Sequence, residues 1–313
     1  MRAIVLDRYA DTPHFAERPD PTPGPAQVLV RVHATSVNPV DWKQASGDIR
    51  LYMPAKFPFV PGYDLAGEVL ALGPGVTTFA VGDRLHTRLN GTAGGASAEK
   101  VLAGLDVARR IPEGMSWAEA AGLPLAGMTA LQGLRDVLGI PLTSANGRVL
   151  VIGASGGVGH LAVQVARSTG AHVVGVCSAR NAELVRGLGA HEVVDYGAAD
   201  PYAGQAPFDW ILDCVGQSPG DFVPKLTPKG RFASCMPGPA IFTWGLLHPF
   251  SGRSVKPVML KSNAADLGVL DELVAAGKLR VVVDSRFPAA EFDKAWDRSR
   301  SGRAAGKIVV DFD

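Results

Sequence analysis

The chain has 313 residues, more than one hydrophobic core usually fills, so two domains are expected. Its 31 Lys and Arg stand against 30 Asp and Glu, a net charge of +1 spread without a basic run, which argues against a nucleic-acid partner. The opening MRAIVLDRYADTPHFAERPD meets charge within a few residues and no stretch is apolar for long enough to span a bilayer, so a cytoplasmic protein without a membrane span is expected.

From Ala26 to about Lys100, short alternating runs such as QVLVRVHA and AGEVLAL are broken by Gly/Pro turns, which reads as a small β-rich domain. Residues 118–134 read as helical, and beyond them the texture changes to strand and helix in alternation, the pattern of βαβ units on a parallel sheet. Strands are predicted at 148–152, 172–177, 192–195, 208–213, 229–234 and 256–260, a helix at 264–280 and a closing strand in GKIVVDF. The last two elements are assigned back to the first domain. The fold class is thus α/β, with a catalytic domain at 1–120 to which 262–313 returns, and an inserted dinucleotide-binding domain at 121–261.

The strongest local signal is VLVIGASGGVGHLAVQVARSTG at 149–170. An apolar strand runs into a glycine-rich turn, and Val158, Leu161, Ala162, Val165 and Ala166 mark one face of the following helix. Such a turn lets backbone amides approach a pyrophosphate at the positive helix end, so Ala154, Ser155, Gly156, Gly157, Val158 and Gly159 form the candidate cradle. An ordinary strand–turn–helix is the alternative, and a second strand at the right spacing favours the dinucleotide.

That second strand ends at Cys177 and Ser178, nineteen residues after Gly159, where a ribose-binding acid is expected. No carboxylate stands there. Ser178 can donate to a 2′-phosphate and Arg180 can clamp one through two charge-assisted hydrogen bonds, which points to NADPH; a solvated Arg180 opening the next helix is the bland alternative. Tyr196 is placed either near the adenosine or in the core.

Cys177, Cys214 and Cys235 are odd in number and lack C-x-x-C spacing, so each reads as a buried, inert thiol. The seven histidines have no ligand spacing, and a catalytic zinc is not expected. Without a Lewis acid, removing hydride from an alcohol is harder to activate than adding it to an electron-poor C=C, which needs only donors for the developing enolate. Reduction of an activated alkene or a quinone follows.

Several ordered motifs, SVNPVDWKQASG (36–47), FPFVPGYDLAGEV (57–69), LPLAGMTALQGL (123–134), GASGGVG (153–159), CSARN (177–181) and GKIVV (306–310), closely resemble the zinc-independent quinone oxidoreductase branch of the medium-chain dehydrogenase/reductase superfamily. The resemblance implies a GroES-like catalytic domain, a Rossmann domain and an active cleft between them. It places Asn38 and Lys43 near the nicotinamide and the substrate carbonyl, with Tyr63 lining the same pocket as a third catalytic candidate and Asp41 orienting the loop. Thr129, Gly216 and Pro237 would border the nicotinamide, and Lys307 would add a phosphate contact. Asn38 as plain Asn-Pro turn chemistry, Lys43 as a solvated lysine beside Trp42 and Tyr63 as filler remain the alternatives.

The function that the resemblance implies is NADPH-dependent hydride transfer to an α,β-unsaturated carbonyl or a quinone, in a homodimer. A pathway-dedicated enoyl reductase acting on a thioester, or a non-catalytic NADPH-binding sensor, are the rivals. The stretch 240–255, rich in Phe242, Trp244, Leu246, Leu247 and Phe250, is expected to form a pocket wall for an apolar acceptor or to enter a subunit interface.

Overall fold

The computed structural model describes residues 1–236, 238–247 and 252–312. In chain order its elements begin with β1 (Arg2–Val5), β2 (His14–Glu17), β3 (Gln27–Val37), α1 (Pro39–Ser46), β4 (Asp64–Leu72), β5 (Arg84–Arg88), β6 (Lys100–Gly104), β7 (Arg109–Arg110) and α2 (Trp117–Gly122). There follow α3 (Pro124–Gln132), β8 (Arg148–Ile152), α4 (Gly159–Ser168), β9 (His172–Cys177), α5 (Ala182–Gly187), β10 (Glu192–Asp195), β11 (Phe208–Asp213), α6 (Pro219–Phe222), β12 (Leu226–Ser234), α7 (Pro239–Leu247) and β13 (Ser254–Pro257). The chain closes with α8 (Ala264–Ala275), β14 (Val283–Pro288), α9 (Phe292–Arg300) and β15 (Lys307–Asp311). Contacts divide these elements into two compact units, one of residues 1–125, 262–276 and 280–313, the other of 126–261 with 277–279.

In the first unit, among the described residues, the sheet runs β14-β15-β3-β4-β5-β7, and β6 also pairs with β3, while β1 and β2 form a separate antiparallel ribbon. The long β3 keeps Val28, Val30 and Val32 buried at every second position, and these pack with Leu65, Val69 and Leu85 from the neighbouring strands. The other side of the core gathers Ile4, Leu6, Phe59, Ile308 and Val310 around Trp296 of α9. A buried imidazole stitches these parts together: His86 in β5 lies 3.1 Å from the Ala120 carbonyl of α2 and 3.0 Å from the Asp271 carboxylate of α8, which also accepts from Arg109 at 2.9 Å. The opening twenty residues, given no element by their pattern, make the β1–β2 ribbon.

In the second unit the strands lie in the order β10-β9-β8-β11-β12-β13, all parallel. Their Val- and Ile-rich runs are buried on both faces, as helix-covered parallel strands must be. The order reverses between β8 and β11, so the carboxyl ends of those strands flank a topological switch point, where open α/β sheets bind ligands. The second unit thus carries a Rossmann-like sheet and the first a GroES-like one.

Three boundaries differ from expectation. The helix read at 118–134 is two helices, because Pro124 has no N–H to continue α2, and it ends in a π turn at Gly133–Val137. The sixth strand is Ser254–Pro257 rather than 256–260, and the tail helix stops at Ala275. The stretch 240–255 opens as α7: Ile241 joins the core of the second unit, Trp244 packs partly against it and Phe242 is 59% exposed. Phe250 and Pro237 lie outside the described residues.

Candidate active site

The first candidate group is built around the start of α1. Asn38 is the N-cap, in extended backbone (φ −124°, ψ 150°), with Pro39 supplying the fixed φ of the first helical position. The Asp41 carboxylate accepts the Asn38 backbone N–H at 2.7 Å, and Gly47 ends the helix at φ +88°. The Asn38 side chain is fully engaged. Its Nδ2 donates to Asp64 Oδ2 at 2.9 Å and to the Ser36 carbonyl at 3.3 Å, and its Oδ1 accepts from Lys307 Nζ at 2.6 Å.

Asp64, at the head of β4, is the hub of this network. Its Oδ2 also accepts from Ser36 Oγ at 2.8 Å, its Oδ1 accepts the Leu125 N–H at 2.9 Å, and Lys307 Nζ stands 3.8 Å away. Asn38, Asp41, Asp64 and Lys307 are all buried. Burial pushes the Asp41 carboxyl up to about 7, with the Asp64 charge adding to it, and holds the Lys307 ammonium below the usual lysine range. Asp41 Oδ1 is buried with no hydrogen-bond partner. Both ends of the Asn38 side chain are thus engaged, and Lys307 serves Asn38 and Asp64 inside the first unit.

Tyr63 packs into the same group. Its side chain is fully buried, its hydroxyl donates to Gln44 Oε1 at 2.5 Å, and the Arg88 guanidinium lies 4.9 Å from its ring centroid. Burial raises the phenol far above its usual range, so it stays protonated. Lys43, on the same helix, is the exception in the group. It is only partly buried, sits 5.5 Å from the Trp42 ring, and burial lowers its ammonium somewhat below the usual lysine range. Gln44 and Arg88 were not singled out in the sequence; nothing in the local pattern distinguishes them from surface polar residues.

The second group stands on the Rossmann sheet. Gly153 turns the chain at φ +76°, and a Cβ on Gly159 would lie 2.1 Å from the Gly153 carbonyl oxygen, so only glycine allows the turn to close onto α4. Ala154 is anchored by its N–H to the Val176 carbonyl at 2.8 Å, and Ser155 Oγ accepts from Asn181 at 2.9 Å, a contact that ties the turn to the end of β9. Gly156, Gly157 and Val158 are partly exposed at the amino end of α4. The residues fit a dinucleotide pyrophosphate: glycine where a side chain would clash, and a helix start with unfilled amides.

At the end of β9, Ser178 is partly exposed and Arg180 exposed, and Tyr196 is 64% exposed, which removes the core reading of that ring. A carboxylate unseen in the linear spacing is nearby: Asp195 pairs in register with Cys177, and its Oδ1 accepts the N–H groups of Ala179 and Gly197 at 3.2 and 3.0 Å. Thr129 is buried on α3. Beyond β11, buried Asp213 accepts from three successive amides, Val215, Gly216 and Gln217, at 2.9–3.1 Å and from Ser234 Oγ at 2.7 Å; burial pushes its carboxyl up. Gly216 is thus an exposed glycine in a firmly held loop, at φ +91°. Among the described residues no group of three or more His, Cys, Asp and Glu side chains is arranged to hold a metal ion, and no helix is long and apolar enough to cross a membrane.

Residues 24–128 match the alcohol dehydrogenase GroES-like domain family, and residues 188–310 match the zinc-binding dehydrogenase family. The chain is 40% identical to the chloroplast envelope quinone oxidoreductase homolog of Arabidopsis thaliana over 99% of this chain and 98% of that one. The chain belongs to the quinone oxidoreductase branch of the medium-chain dehydrogenase/reductase superfamily. It is also 32% identical to the mitochondrial NAD(P)H oxidoreductase RTN4IP1 of Mus musculus, over 91% of this chain and 82% of that one. The quinone oxidoreductase of Coxiella burnetii has the same fold, at a TM-score of 0.88 and 29% identity, over 100% of this chain and 99% of that one. As a member of this superfamily the protein is a nicotinamide-dependent oxidoreductase.

Proposed function

We propose that the protein is an NADPH-dependent, metal-free reductase of quinones or α,β-unsaturated carbonyls. The observation that carries the coenzyme choice is the end of β9, where Ser178 is partly exposed, Arg180 is exposed, and Asp195, the nearby carboxylate, has its Oδ1 engaged by two backbone amides. A 2′-phosphate suits a hydroxyl and a guanidinium there, whereas a free carboxylate would repel it. When bound, the reduced coenzyme supplies the hydride.

The residues of this chain would do the rest. The cradle Ala154–Gly159 holds the pyrophosphate, Tyr196 offers its exposed ring to the adenosine, and Gly216 and Thr129 are proposed nearer the nicotinamide. Lys43 is the proposed donor to the oxygen on which negative charge develops, since it is only partly buried where Asn38, Asp41, Asp64, Tyr63 and Lys307 are buried. Asn38 and Tyr63 are reassigned as positioning residues: the first fixes the start of α1 through Asp64 and Lys307, the second fixes Gln44 one residue after Lys43. The named activities of the Arabidopsis and mouse relatives support a quinone acceptor and a nicotinamide donor.

Cys177, Cys214 and Cys235 are free thiols, which suits a reducing compartment and supports the cytoplasmic assignment. The edge strand β13 offers unpaired backbone groups for a second copy, which supports a homodimer. Anaerobic mixing with NADPH and a panel of quinones and enones tests the function, read as loss of reduced-nicotinamide absorbance. Oxidation of NADPH by at least one acceptor, faster than of NADH, is expected; no oxidation by any acceptor overturns it.

A further inference from the structure

Cys177 is buried in β9, but Cys214 and Cys235 are both partly exposed, against the reading of all three as buried thiols. Each stands one residue beyond the carboxyl end of its strand. β11 and β12 pair in parallel with Asp213 opposite Ser234, so the next residue on each strand sets cysteine beside cysteine. The Cys235 N–H donates to the Asp213 carbonyl at 2.8 Å, which carries the ladder through the pair, and the Cys214 thiol is hydrogen-bonded to Cys235. Neighbouring strands lie about 4.8 Å apart, inside the ~4.4–6.8 Å between Cα atoms that a disulfide spans. Opposed residues on parallel strands hold their Cβ atoms near that same spacing, wider than the ~3.8 Å of a relaxed bridge. A bond between them would therefore carry strain and be readily reduced.

We propose that Cys214 and Cys235 form a reversible dithiol–disulfide pair, oxidised by a small-molecule disulfide of the glutathione type. In this pair Cys235 is the attacking sulfur and Cys214 the resolving one. The Cys235 sulfur loses its proton and displaces one glutathione thiolate from the disulfide, forming a mixed disulfide. Cys214 then loses its proton, attacks the Cys235 sulfur and displaces the second glutathione. Two protein thiols are oxidised, one glutathione disulfide is reduced, and the two protons end on the two glutathione thiols. The bridge fastens the loop held by Asp213 to the Met236 segment, whose side chain lies 3.3 Å from where a Cβ on Gly216 would stand.

The full chain equilibrated with glutathione disulfide, blocked with an alkylating agent and digested, tests this by mass spectrometry. The expected product is one peptide pair joined through Cys214 and Cys235, lighter by two hydrogens, with two of the three thiols lost and both recovered with dithiothreitol. Cys214→Ser is expected to stop at a single glutathionyl group on Cys235, and Cys177→Ser to leave the bridge intact. Both thiols remaining free, a glutathionyl group on each, or a bridge that involves Cys177 or a second chain overturns the proposal. None of these readouts depends on the coenzyme or acceptor, so failure here is distinct from failure of the oxidoreductase reading.

Discussion

The polar groups at the start of α1 and those at the end of β9 have opposite fates. Asn38, Asp64 and Lys307 are buried and satisfy one another within 2.6–3.8 Å, whereas Ser178, Arg180 and Tyr196 are presented to solvent. A buried charge must find its partner inside the fold or the fold loses several kcal/mol, while an exposed one keeps much of its hydration. The first region is therefore a frame, and the second is the one we propose for the coenzyme. Polar residues in a motif do not announce which of the two they are.

The contrast breaks most sharply at Lys307. Lys307→Met removes the cation bonded to Asn38 and standing 3.8 Å from Asp64, leaving the buried Asp64 carboxylate short of its nearest ammonium, so unfolding free energy is expected to fall by about 3–5 kcal/mol in a denaturant titration. A loss under about 1 kcal/mol would show that the pair is not part of the frame. Lys43→Met should instead leave the melting curve nearly unchanged and lower kcat about 10²–10³-fold at saturating NADPH, the range for removing one donor to a developing oxyanion. Arg180→Ala is expected to weaken NADPH binding about 10–100-fold with NADH binding unchanged, as the loss of a charge-assisted contact of about 1.5–3 kcal/mol requires. Equal losses for both coenzymes would remove Arg180 from the 2′-phosphate.

The smallest effect sharpens the frame. Asp41 has its folded value raised from 3.8 to about 7, so the native state binds more protons than the unfolded chain between those limits, and stability falls as pH rises from about 4 to about 7. Asp41→Asn keeps an oxygen for the Asn38 N–H and removes this titration. The variant should gain on the parent steadily as pH rises across that window. Paired thermal melts at pH 4 and pH 7 measure it; a constant difference would refute it.

The parallel sheet was legible because its strands are continuous apolar runs: the strands read at 148–152, 172–177, 192–195 and 208–213 have the bounds that the structure gives them. The glycine turn was legible for the same reason, since a backbone too close for a side chain leaves its mark as residue type at fixed spacing. The frame was not. Lys307 is separated from Asn38 by 269 residues, and nothing in KIVV says that the lysine ahead of it is buried rather than reaching for phosphate. The partners of Tyr63 and Asp195 were illegible for a related reason: Gln44 and the amides of Ala179 and Gly197 are brought to them by chain geometry, which leaves no trace in local pattern.

Asp213 holds the amides of three consecutive residues in place before anything docks on that edge of the sheet. A segment already frozen has little backbone disorder left to surrender on association, so its contribution to the entropy of complex formation should be small. Selectivity at that edge would then reflect a rigid template rather than adaptation, and a ligand of the wrong outline would be refused rather than accommodated.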